Sequence, residues 1–170
     1  MKIHSVAGDG ECLFNSIAFG ILYYKQNRKI PSKVEYKKLA KHLRQTCVNF
    51  LKRKIMCRDT QYIYSLAATY EDEFNTAPIT NEKDSIQYAK LYIQNMSKSE
   101  QFGGYIELLG LSNYIHNRRF KGVKVMTKIE DKFDDICDMR TKINSSKSGP
   151  MIKILLNNNF FDFITSSNHP

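Results

Sequence analysis

Behind Gly8-Asp9-Gly10, the apolar residues Leu13, Phe14, Ile17, Ala18, Ile21 and Leu22 recur at three-to-four-residue spacing, which predicts a helix. Pro31-Ser32 opens a second helix, with Tyr36, Leu39, Ala40, Leu43, Cys47, Phe50 and Leu51 on its apolar stripe. A third carries Tyr62, Ile63, Leu66, Ala67, Tyr70 and Phe74 and ends before Pro78. A fourth, from about Asp84 to Asn95, carries Ile86, Tyr88, Ala89, Tyr92 and Ile93. Ser97–Gly104 is polar and glycine-containing, hence a loop, and Ile106, Leu108, Leu109, Leu111, Tyr114 and Ile115 follow as a short apolar helix. From Lys121 the period changes to two. Lys121–Met126 alternates like a strand, and Met151–Leu156 and Phe160–Ile164 are two more, joined through Asn157-Asn158-Asn159 as a hairpin. Lys142–Pro150 reads as a surface connection. Helices first and an antiparallel hairpin last predict an α+β fold with one helical side.

Composition narrows the class. At 170 residues and 42% hydrophobic the chain is expected to form one domain over 1–170. No apolar run approaches the length of a membrane span, and MKIHSVAGDGECLF lacks the apolar stretch of a signal peptide. Cys12, Cys47, Cys57 and Cys137 are too irregularly spaced for a disulfide framework or a zinc pair, which suits reduced thiols in an intracellular, cytoplasmic setting. Abundant Lys, Asn, Ile and Tyr point to an AT-rich coding genome such as that of a parasite or virus, which would make that setting a host cytoplasm. The start eight residues ahead of Asp9 and the stop soon after the last strand fit a minimal protein or a trimmed domain.

The net charge of +9 is unevenly spread. Twelve basic residues between Lys25 and Arg58 face only Glu35, so this stretch carries +11 and the rest of the chain −2. Such a region attracts nucleic acid, an anionic membrane or an acidic protein face, or is simply the solvated side of helices.

The sharpest local feature is Asp9-Gly10-Glu11-Cys12-Leu13-Phe14-Asn15-Ser16. It puts a cysteine on the first turn of an amphipathic helix, behind a glycine that permits a tight turn. Unpaired N–H groups and the positive end of the helix dipole stabilise a thiolate there. The N–H groups of Gly10, Glu11 and Cys12 could also hold the oxyanion of a tetrahedral intermediate. The competing reading is a small buried hydrophobe.

These residues resemble the D-G-x-C-L-F signature of the ovarian-tumour (OTU) family of cysteine proteases, which act as deubiquitinases. Phe102-Gly103-Gly104-Tyr105-Ile106-Glu107-Leu108-Leu109-Gly110-Leu111-Ser112 resembles the family's W-G-G-x-x-E-x-x-A-L-A helix, with Phe102 in place of tryptophan. Ile152–Leu156 and Phe160–Ile164 resemble its final hairpin, which carries H-Y-D or H-Y-N. The resemblance implies a papain-like core, a small twisted sheet packed between helices, and ubiquitin or a ubiquitin-like protein as partner. It implies Cys12 as nucleophile, Asp9 as an assisting group near the oxyanion, and Asp162 as the carboxylate that orients a histidine.

The pattern breaks at that histidine, because the alignment puts Phe160 in its place. A phenyl ring accepts no proton, so Cys12 loses its general base and the leaving amine its acid. Loss of one member of such a triad costs roughly four to six orders of magnitude in rate. His169 lies seven residues beyond Asp162 on a tail able to double back, a substitute base or merely a terminal residue. His4 reads as ordinary surface, and His42 and His116 as solvated helix positions. No histidine or cysteine spacing fits a metal, so neither metal nor cofactor is expected. Tyr88, Tyr92 and Tyr114 are stacking residues or core packing, and Ser97–Gly104 is a gate over Cys12 or a plain connection. Three readings follow: an inactive or impaired OTU-like domain that binds ubiquitin or another protein, an active thiol deubiquitinase with a non-standard base, and a nucleic-acid or anionic-membrane binder using 25–58.

Overall fold

The computed structural model describes residues 1–8, 10–98, 100–117, 120–130, 132–140, 149–157 and 160–165. Asp9, His169 and most of the 142–150 connection lie outside them, as do Asn158 and Asn159 of the expected hairpin turn. A short strand β1 (Lys2–His4) precedes five helices, α1 (Cys12–Lys25), α2 (Lys33–Met56), α3 (Thr60–Phe74), α4 (Glu82–Met96) and α5 (Tyr105–Asn117). Four strands follow, β2 (Gly122–Ile129), β3 (Lys132–Arg140), β4 (Met151–Asn157) and β5 (Phe160–Thr165).

The helix starts are written in local chemistry. Ser32 and Glu35 form a reciprocal capping box at α2, Ser32 Oγ accepting from the Glu35 N–H and the Glu35 carboxylate accepting from the Ser32 N–H at 2.8 Å. Asp59 and Asn81 cap α3 and α4 by accepting from the N–H groups of Tyr62 and Asp84. Asn75 ends α3 at φ 47°, a left-handed conformation asparagine tolerates.

The sheet order is β1-β5-β4-β2-β3, and only the β2–β4 pair is parallel. Register places Val123 beside Ile152, and Val125 beside Ile154 beside Phe163, so one sheet face is continuously apolar. Helix α1 lies on that face, with Gly20 meeting the side chains of Ile152 and Phe163. A smaller cluster of Met126, Leu155 and Ile164, with Phe133 against it, forms the opposite face. The α+β class and its one helical side hold, and α1 and α5, the helices that pack on the sheet, both join the larger core.

Strand β3 has no counterpart in the sequence reading. Its apolar residues Phe133, Ile136 and Met139 recur every third position among acids, so no period of two is visible. Pairing with β2 creates the strand, and Glu130 at φ 53° begins the tight turn between them. The basic residues of 25–58 do line exposed or half-exposed positions, with one correction: Arg44 is buried. His4 is also corrected, from ordinary surface to a half-buried position pairing with Phe163.

Gly20 tests the helix–sheet contact. A Cβ there would sit 2.8 Å from Ile152 Cγ2 and 2.9 Å from Phe163 Cε2. Gly20→Ala is expected to lower the unfolding free energy by about 1–3 kcal/mol in urea titrations, against the stabilisation of about 1 kcal/mol that alanine brings to an unhindered helix site.

Candidate active site

Cys12 is the first residue of α1 and is buried. Gly10, two residues before it, adopts φ 69°, and a Cβ there would lie 2.4 Å from the Glu100 carbonyl oxygen. Conformation and crowding together admit only glycine. Glu11, the N-cap residue, does not cap the helix with its side chain, whose carboxylate instead lies 3.6 Å from Arg44 Nε. The first-turn N–H groups, which have no acceptor within a helix, are thus left uncapped by Glu11.

The helix is fastened near this end. Asn15 Nδ2 donates to the Ala7 carbonyl at 3.3 Å, and Ser16 Oγ donates to the Phe161 carbonyl at 2.8 Å. Ser16 is one turn beyond Cys12, so the start of β5 is brought to the cysteine end of α1. Phe160 lies there. Its ring is 3.3 Å from where a Gly8 Cβ would stand and meets Phe102 edge-on, with centroids 6.2 Å apart. Both phenylalanines are exposed. Asp162, two residues on and so on the same strand face, accepts from the Val6 N–H at 3.1 Å through Oδ1. The carboxylate that the resemblance assigns to a histidine is engaged here with the backbone.

The 102–107 segment packs directly onto α1. A Cβ on Gly103 would come within 2.9 Å of Leu13 Cδ2 and 3.1 Å of Phe14 Cε2. Glu107, fully buried, accepts from the Gly104 N–H at 2.7 Å and from the Tyr92 hydroxyl at 3.0 Å. Burial pushes its carboxyl above the usual range, while those donors pull the other way. A cavity of about 780 Å³ opens beside this segment, lined by Glu73, Tyr92, Phe102, Tyr105 and Glu107 among others. Tyr92 is therefore a core residue with a polar duty. Tyr88 packs on Tyr70, and Tyr114 on His42.

Arg44 was hidden by its charge. Its Nη1 donates to the carbonyls of Met96 at 3.1 Å and Lys98 at 2.9 Å, and its Nη2 to those of Gly10 at 3.0 Å and Gln101 at 2.8 Å. The guanidinium lies over the Phe14 ring, 4.5 Å from its centroid. Position 44 falls beside the stripe of Ala40, Leu43, Cys47 and Leu51, but spacing does not say that a charge there finds partners. The loop after α4, read as a gate or a plain connection, is held by this side chain.

Of the histidines whose side chains are described, His4 and His42, neither is brought to Cys12. His4 Nε2 lies 3.2 Å from Thr165 Oγ1, and its ring packs on Phe19, Tyr23 and Phe163. Phe19 is seven residues past Cys12, about 10 Å farther along the helix axis. His42 is exposed on α2, and the side chains of His116 and His169 lie outside the described residues, as does Asp9. Among the described residues no group of three or more His, Cys, Asp or Glu side chains is placed to hold a metal ion. Among them, too, no helix is long and apolar enough to cross a membrane.

The family model for OTU-like cysteine proteases matches residues 7–137, most of the chain. The chain belongs to the OTU-like cysteine protease family. The matched span ends within β3, ahead of the hairpin that bears Phe160. Among solved structures, the viral OTU domain protease from Farallon virus is similar at a TM-score of 0.56 and 15% identity, over 96% of this chain and 84% of that one. An OTU deubiquitinase from Wolbachia pipientis wMel, solved bound to ubiquitin, is similar at a TM-score of 0.55 and 12% identity, over 96% and 94%. At such identities these likenesses establish the OTU fold alone. No curated protein matches by sequence.

The burial of His4 in this OTU-like domain has a consequence for acid stability. Desolvation first, and Lys2 second, hold its imidazole below the ordinary value of 6.5. The unfolded chain therefore takes up the proton first, so stability present above pH 6.5 declines as pH falls below that value and is lost under the folded-state value. Thermal melts at falling pH are expected to show the midpoint of wild type dropping more than that of His4→Gln.

Proposed function

We propose that this OTU-like domain binds ubiquitin or a ubiquitin-like protein and is impaired or inactive as a deubiquitinase. One observation carries the reading: Phe160, not a proton acceptor, occupies β5 at the cysteine end of α1, in line with Asp162. The rest of the site keeps the residues of the family signature. Cys12 takes the role of nucleophile, the N–H groups of Gly10, Glu11 and Cys12 that of oxyanion donors, Asp9 that of an assisting group, and Asp162 that of the former orienting carboxylate. Without a base the thiol is not activated, and without an acid the departing amine leaves as an unstable anion. The Wolbachia relative solved with ubiquitin supports the choice of partner.

A ubiquitin derivative carrying a C-terminal electrophile tests this on wild type, Cys12→Ala, Phe160→His and His169→Ala. Wild type is expected to bind ubiquitin in a titration yet label slowly. Phe160→His is expected to label at least about 100-fold faster, the usual effect of a positioned base. Rapid wild-type labelling that disappears in His169→Ala would instead establish an active enzyme whose base comes from the tail. Absence of ubiquitin binding by wild type and Cys12→Ala alike would overturn the partner assignment.

A further inference from the structure

Arg44 stands outside every motif of the family resemblance, yet it holds the segment that precedes Cys12. A guanidinium has five N–H donors in a fixed plane. Here the four terminal ones meet the carbonyls of Gly10, Gln101, Met96 and Lys98, and Nε faces the Glu11 carboxylate. Two separate stretches of chain, 10–11 and the loop after α4, are thus tied through one side chain. That side chain is rooted in α2 between Leu43 and Cys47, both wholly buried, so the clasp stands on a rigid element.

The direction of the bond to Gly10 matters for the chemistry. Across a trans peptide the C=O and N–H groups point opposite ways. A Gly10 carbonyl held toward buried Arg44 therefore turns the Glu11 N–H away from it. We propose that Arg44 is a positioning residue: it clasps the Gly10–Glu11 peptide to the loop after α4 and so fixes the N–H groups ahead of Cys12 before any partner binds. The catalytic meaning of this placement rests on the function proposed above; the clasp itself does not. Lysine cannot replace it, because an ammonium offers three donors from a single point and cannot span four carbonyls on two segments.

Amide hydrogen exchange on the intact chain tests the clasp without reference to ubiquitin. In Arg44→Lys and Arg44→Gln, exchange at 10–14 and in the loop after α4 is expected to accelerate about 30-fold, with amides at the α3–α4 contact unchanged. Unchanged rates, acceleration spread evenly along the chain, or wild-type rates restored by lysine would each overturn the proposal. If the Arg44 variants do not fold, Glu11→Ala leaves the four carbonyl contacts intact and removes only the carboxylate at Nε. Exchange at 10–14 should then stay within about three-fold of wild type, because the clasp is intact, and acceleration beyond about 10-fold there would overturn the proposal. A second arm adds Arg44→Lys to Phe160→His and measures turnover of a ubiquitin C-terminal fluorogenic amide. The expected signature is kcat lowered at least about 10-fold with KM within about two-fold, and a change in KM alone would count against positioning. If Phe160→His shows no turnover, the reading of the lost base fails, while the exchange arm still decides Arg44.

Discussion

The cation of Arg44, buried among backbone carbonyls, is the constraint on which the cysteine end of this domain depends. A charge removed from water is costly unless hydrogen bonds and an opposite charge stand in for the solvent. Arg44 offsets that cost with four carbonyls, from Gly10, the last residue of α4 and the loop after it, and with the Glu11 carboxylate 3.6 Å from Nε. The same contacts that satisfy the guanidinium order the loops, so the cost of burial and the ordering of the site are one event. Gly10 completes the arrangement from the other side. Its left-handed conformation and its close approach to Glu100 press the two loops together at the point Arg44 spans.

Two sides of the molecule come together at the cysteine end of α1. The thiol side is tightly specified: Gly10 and Gly103 each sit where a Cβ would collide, Ser16 ties α1 to β5, and Glu107 and Tyr92 hold the start of α5. The β5 side carries Phe160 where the family resemblance would place a histidine. Phe160 has found apolar company in Phe102, the residue that replaces the tryptophan of the family motif. Asp162 accepts from the Val6 N–H, which gives a reason to retain it that owes nothing to proton transfer.

How much of this was legible varies with the range of the forces involved. The five helices follow from periods and caps that act within a few residues, and the structure places them close to where the apolar stripes put them. Strand β3 was invisible because its acidic sequence has no alternation of its own and borrows its conformation from β2. The parallel pairing of β2 with β4 was equally hidden, since it joins segments separated by the 141–148 stretch. His4 and Arg44 were misplaced for a common reason: a polar residue defaults to solvent in a sequence reading, and only partners distant in the chain can bring it inside.

By itself the sequence determined the helical first half, the α+β class, Cys12 on the first turn of α1 and the absence of a histidine at position 160. Each of these is a matter of residue identity or of spacing over one or two turns. Tertiary structure alone decided which charge is buried, which loops it binds, where Asp162 spends its hydrogen bond and what packs against Phe160. Those outcomes depend on segments up to 156 residues apart, such as Val6 and Asp162, and no local pattern encodes a contact whose energy exists only once both sides have folded.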